Sequence, residues 1–163
     1  MVLHMPEKRW LILLVLFLAR TALAIQFQAV ASAGPFLLVA LAIDYAALGL
    51  LIGLHSLPGM VIAIPGGVLG QRLGARRVAL IGLFLMVAGG GVVGLAQSFP
   101  SAAAGRTVLG VGAVLFNVMA TKMVADWFSG REIATAMGTL VSSWPLGIAL
   151  GLLAFGSIGT AHG

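Results

Sequence analysis

The sequence predicts an all-α membrane protein with five transmembrane helices, on three observations. The chain of 163 residues is 61% hydrophobic and only 8% charged, too little charge to cover a water-soluble surface. Five apolar stretches each reach the roughly 20 residues that a bilayer-crossing helix needs. The brief connections between them alternate between basic and free of basic residues.

The first span is expected at about residues 10–32, directly after Lys8 and Arg9. That start also mimics a secretory signal, with an apolar run from Trp10 to Ala19 and Ala22-Leu23-Ala24 as a cleavage site. Arg20 beside that site, and apolar residues continuing past it, favour a retained helix. The second span is expected at 45–66 and the third at 77–97. A short turn carrying Arg72, Arg76 and Arg77 joins them, which forces the two helices antiparallel. The fourth is expected at 101–124 and the fifth at 133–155, with Lys122 and Arg131 bracketing their turn. The opposite loops, around 33–44 and 98–101, hold no Lys or Arg. Basic loops resist translocation, so the N-terminus is expected in the cytoplasm. Trp10 and Trp127 fall at the same boundary as interfacial anchors.

The net charge of +5 sits at helix ends, where it serves orientation and does not point to nucleic acid. No cysteine is present, which excludes disulfides, thiol catalysis and Cys-based metal sites. Nothing points to a metal or another cofactor. A His-Glu-x-x-His metal motif and a phosphate-binding Gly-x-x-x-x-Gly-Lys run are both missing, as are paired aspartates in facing spans, so an intramembrane enzyme is disfavoured.

Polar residues inside the spans are the candidates for function, because a charge at mid-bilayer costs several kcal/mol without a partner or water. Arg20, near the middle of the first span, should face the bundle interior. It is a candidate for binding an anionic substrate through its bidentate donors, or for a structural bond to helix carbonyls. His55 at similar depth is a candidate for proton coupling or substrate contact, or for an interhelical hydrogen bond. Arg106, about five residues inside the fourth span, reads the same two ways. Asn117 can supply both donor and acceptor, to a substrate or to a neighbouring helix. Gln26 and Gln28 lie about 200° apart around the first helix, so only one can point squarely at a cavity.

Gly49 with Gly53, and Gly147 with Gly151, place small residues on one helix face for close packing. Pro58 and Pro145 each remove a backbone bond in mid-helix and predict bends there. An internal echo links the halves of the chain. Arg20-Thr21-Ala22-Leu23 recurs as Arg106-Thr107-Val108-Leu109, and Ser56-Leu57-Pro58 as Ser143-Trp144-Pro145. The offsets are nearly equal, which describes a three-helix unit repeated with inverted topology. The second copy stops after two helices, so the chain reads as truncated before a sixth.

The turn Gly67-Val68-Leu69-Gly70-Gln71-Arg72-Leu73-Gly74-Ala75-Arg76-Arg77 resembles the loop between helices two and three of major facilitator superfamily transporters. Their pattern is roughly Gly-x-Leu-Ala-Asp-Arg-x-Gly-Arg-Lys/Arg. Gly67, Leu69, Arg72, Gly74 and Arg76 match, while Gln71 replaces the Asp and Ala75 a basic residue. Arg106-x-x-x-Gly110-x-Gly112 is similar to the family's fourth-helix motif, which is associated with proton or substrate coupling. The turn from Lys122 through Asp126 to Arg131 and Glu132 also resembles this family. Trp144-Pro145 with Gly147 partly resembles an antiporter motif, with Trp in place of the first Gly. Leu57-Pro58-Gly59 and Pro65-Gly66-Gly67 resemble the cyanate and nitrate/nitrite permease branches.

The resemblance implies a six-helix half-bundle of 3+3 inverted repeats, here residues 1–163 as an incomplete N-terminal domain of a secondary transporter. It implies a bacterial inner membrane, a small anion or organic acid as substrate, protons as a possible coupling ion, and a C-terminal half as partner. Pro58, Pro145 and Gly147 would be bending points. Arg72, Arg76 and Arg77 would pair with Asp126 and Glu132 as a cytoplasmic gate, weakened by the loss of the Asp at Gln71. A short assembly protein working through its glycine faces, or a gene remnant, is the alternative.

Overall fold

The computed structural model describes residues 6–128, 130 and 132–161. Among these described residues seven helices follow in order: α1 Pro6–Ser32, α2 Gly34–Ala40, α3 Tyr45–Gly53, α4 Leu57–Leu73, α5 Ala75–Gly94, α6 Phe99–Trp127 and α7 Glu132–Ala161. Five stretches of the described residues are long and apolar enough to cross a membrane, with α3 and α4 together making the second. Arg131 of the gating turn lies outside the described residues.

Local chemistry sets the ends. Asp44 caps α3, its Oδ1 accepting from the Ala47 amide at 2.8 Å. Proline occupies the first turn of α2, α4 and α6, where its missing N–H costs nothing. Gly74, at φ +88°, is the single residue between α4 and α5, a backbone setting that glycine reaches without strain. That glycine, not the loss of hydrophobicity, ends the second span, so α4 runs to Leu73 and not to 66. The third span likewise starts at Ala75 and closes at Gly94, ahead of the expected 77–97. The connection at 33–44 contains α2, an apolar helix opened by Pro35.

Two helix pairs frame the bundle. α5 and α6 run antiparallel and meet at reciprocal glycines: a methyl group on Gly82 would strike the Gly112 carbonyl, and one on Gly89 the Gly105 carbonyl. The two contacts lie seven residues apart on each helix, so the backbones stay close over two turns. α1 and α7 run parallel. Arg9 and Glu132 are 123 positions apart, and Ala24 with Gly147 and Gln28 with Gly151 keep that same offset. Gly147, expected as a bending point, packs closely against α1. Gly151 does the same, while Gly49 and Gly53 face open space. Leu23, Phe116, Met119 and Leu140 fill the core between the pairs.

Pro145 lies inside α7, which continues unbroken through it. Pro58 behaves differently. It stands in the first turn of α4, after a three-residue turn at 54–56 that divides the second span. The expected bend in one helix is an interruption between two.

Candidate functional site

The interruption frees backbone acceptors inside the bundle. The His55 amide donates to the Ile52 carbonyl at 3.4 Å and the Ser56 amide to Gly53 at 2.9 Å. Both bonds reach back three residues, so the Leu51 carbonyl loses its helical donor. Pro58 has no N–H to offer Leu54. An unsatisfied carbonyl at membrane depth costs several kcal/mol, and another helix supplies the remedy. Arg106 of α6, fully buried at 0% exposure, donates from Nε to the Leu51 carbonyl at 3.2 Å. One turn further along α6, Gly110 lies directly against the His55 carbonyl, and any side chain there would collide with it.

Arg106 has spare capacity. Its two terminal guanidinium nitrogens are buried without a hydrogen-bond partner, and so is Nδ1 of His55. His55, itself 6% exposed, packs against Phe27 of α1 with ring centroids 5.0 Å apart. Phe27 in turn meets Trp144 of α7 at 5.6 Å. These contacts link α1, the interrupted span, α6 and α7, and three buried polar atoms of Arg106 and His55 among them lack partners. A planar guanidinium with both terminal nitrogens free presents one bidentate edge, the arrangement that takes a carboxylate.

The other expected site residues distribute around this cluster. Arg20 is half-buried on α1, and its Nε also lacks a partner. Its neighbour Thr21 donates to the Phe17 carbonyl at 2.9 Å, as Thr107 beside Arg106 donates to Ala103 at 2.9 Å, a bond that Thr121 and Thr139 make as well. Asn117 uses Nδ2 on the Ala113 carbonyl of its own helix at 3.0 Å and leaves Oδ1 buried and unpartnered. Gln26 turns to α5, with Nε2 3.4 Å from the Met86 carbonyl and against Gly90. Gln28 packs on Gly151 of α7 and contacts Ser32 at 3.4 Å. The two glutamines do face different helices.

At the basic end the ion pairs differ from those expected. Glu132 binds Arg9 through two contacts, at 2.8 and 3.0 Å, and Asp126 binds Lys122 at 2.7 Å along α6. Among the described residues Arg72, Arg76 and Arg77 form no ion pair. They are exposed, as are Gln71 and Gly74. Gly67 has open space around it. The parallel α1–α7 register brings Arg9 to Glu132 and so displaces the basic turn as partner. Arg9 also lies over the Phe128 ring at 5.6 Å, and Trp10 meets that ring edge-on at 5.0 Å. Arg76 and Asp126 share a groove of about 570 Å³ between α1, α5 and α6, walled by Leu16, Leu83 and Phe116. The groove contains none of the intramembrane polar candidates.

Comparison with known proteins gives a consistent picture. The model of the Major Facilitator Superfamily matches residues 12–163. The chain is 29% identical to a "Hexuronate transporter" of Bacillus subtilis (strain 168), over 85% of this chain and 33% of that protein. It is 26% identical to a "Probable L-galactonate transporter" of Escherichia coli (strain K12), over 63% of this chain and 23% of that protein. The "Inner membrane transport protein YajR" of the same organism is 29% identical over 66% of this chain and 23% of its own length. The chain thus spans at most about a third of these three relatives, and none of their names mentions cyanate, nitrate or nitrite.

Proposed function

The chain belongs to the major facilitator superfamily, and from that premise we propose that it forms the N-terminal spans of a secondary transporter for small organic acids. The observation that carries this reading is the fully buried Arg106, whose two terminal guanidinium nitrogens have no partner, together with the buried, unpartnered Nδ1 of His55 in the segment that rests on Gly110, one turn along α6. Buried donors of this kind cost free energy until something accepts from them. A carboxylate satisfies both at once. Sugar acids are the substrate class to try first, since the names of two relatives specify hexuronate and L-galactonate.

In this reading Arg106 takes the carboxylate and His55 a hydroxyl or a coupled proton. Arg20, Asn117 and Gln26 line the route with further donors and acceptors. The chain lies in a bacterial inner membrane with its basic end and N-terminus in the cytoplasm. A second half completes alternating access, because the site of such a transporter lies between its halves.

The test is binding. Purified chain in detergent should melt at higher temperature with L-galactonate or D-galacturonate than with neutral D-galactose at equal concentration. Arg106→Met should remove that difference. Equal shifts for acid and neutral sugar would refute the reading, and a shift with nitrate or cyanate alone would move the substrate to the small inorganic anions.

A further inference from the structure

Arg106 has a second role that does not depend on substrate chemistry. Its Nε is the donor that replaces the lost helical bond at Leu51, on the α3 side of the interruption. The flanking residues make that interruption easy to move. Gly53 and Gly59 stand on either side, Pro58 blocks a bond to Leu54, and His55 and Ser56 hold only three-residue amide bonds, while Leu54 keeps its helical bond to Leu50. α3 has few anchors besides. It is a nine-residue helix in which Leu51 is the one buried residue. α4, by contrast, packs Gly66 on Leu115 and Gly70 on Met119 of α6.

We propose that the turn at 54–56 is a hinge and that Arg106 is the positioning residue that latches it, holding the α3 half against α6 through the Leu51 carbonyl. Gly110 is the seat of the hinge, because only a residue without a side chain lets the His55 carbonyl rest on α6. An anion that takes the free guanidinium nitrogens pulls on the same group that holds the latch. This last coupling rests on the transport reading above, whereas the latch itself does not. Released, α3 moves as a half-helix while α4, α5 and α6 stay together. The motion is of the hinge type, in which a few element-terminal residues absorb the change.

The absence of cysteine lets spin labels be placed singly. One pair, Tyr45→Cys with Leu95→Cys, reports the α3 half against α5, since both positions are exposed. A second pair, Leu73→Cys with Leu80→Cys, also at exposed positions, reports α4 against α5. Distances are read by pulsed electron resonance on the full chain in nanodiscs. With Arg106→Met the first distance should lengthen and broaden by on the order of 5 Å, while the second stays unchanged. Adding Gly53→Ala and Pro58→Ala, which gives Leu54 a donor and lets the helix run on so that the His55 amide returns to Leu51, should restore the first distance.

An unchanged first distance in Arg106→Met would overturn the latch. So would broadening of both distances, which would mean general loosening. L-galactonate added to the unmutated background should shift the first distance in the same direction as Arg106→Met. If Arg106→Met shifts it and L-galactonate does not, the latch stands and the sugar-acid reading falls.

Discussion

Ser56-Leu57-Pro58 and Ser143-Trp144-Pro145 put the same proline after the same serine in two repeat-related spans, yet only the first opens its helix. Each proline withdraws one donor, from Leu54 and from Val141. The difference lies in the surroundings. In α7 the flanking positions are Leu140, buried to 1% exposure, and Leu146. The equivalent positions around the first proline are Gly53 and Gly59, each costing a helix about 1 kcal/mol relative to alanine. The Ser143 hydroxyl donates to Leu140 at 2.5 Å and Ser142 to Thr139 at 2.8 Å, tying that turn down. The first segment instead finds its donor on another helix, in Arg106. A proline at membrane depth therefore breaks a helix where glycine weakens the flanks and a neighbour satisfies the exposed carbonyl.

Five substitutions would break or sharpen this contrast. The largest effect should come from Gly110→Leu, which drives a side chain into the His55 carbonyl. Thermal denaturation in detergent should show a loss of about 3 kcal/mol, and a neutral result would mean the turn does not rest on α6. Arg106→Met should cost about 2 kcal/mol by stranding the Leu51 carbonyl, whereas Arg20→Met, at the echo position without such a bond, should cost less than about 1. Equal costs for the two arginines would remove the distinction between the copies. Gly53→Ala has open space for its methyl and should stabilise by about 0.5–1 kcal/mol, with a shift of the helix content upward by circular dichroism. The smallest effect is Ser143→Ala, about 0.6 kcal/mol. A much larger loss would show that the serine, and not the leucines, keeps α7 whole.

Much of this architecture was legible in residue order. Apolar length located all five spans, and the motif around Arg106 pointed that side chain inward, where the fold has buried it. The interruption was not legible, because Pro58 and Pro145 look alike locally and the deciding donor sits 55 residues away. The Arg9–Glu132 pair escaped for a similar reason. Charge pattern placed both at the basic end, but only the parallel register of α1 and α7 decides that Glu132 meets Arg9 and not the turn at 72–77. The reciprocal glycines of α5 and α6 were visible only as composition until the crossing gave them partners.

Hydrogen–deuterium exchange of the chain in lipid nanodiscs tests the interrupted span most directly. The amides of His55, Ser56 and Gly59, held by short-range bonds, should exchange about tenfold faster or more than those at 142–147 in α7 and at 105–116 in α6. Arg106→Met should speed the first group further and leave the other two alone. Equal protection at 51–60 and 138–147 would mean that the second span is one continuous helix, and the hinge and its latch would both fall.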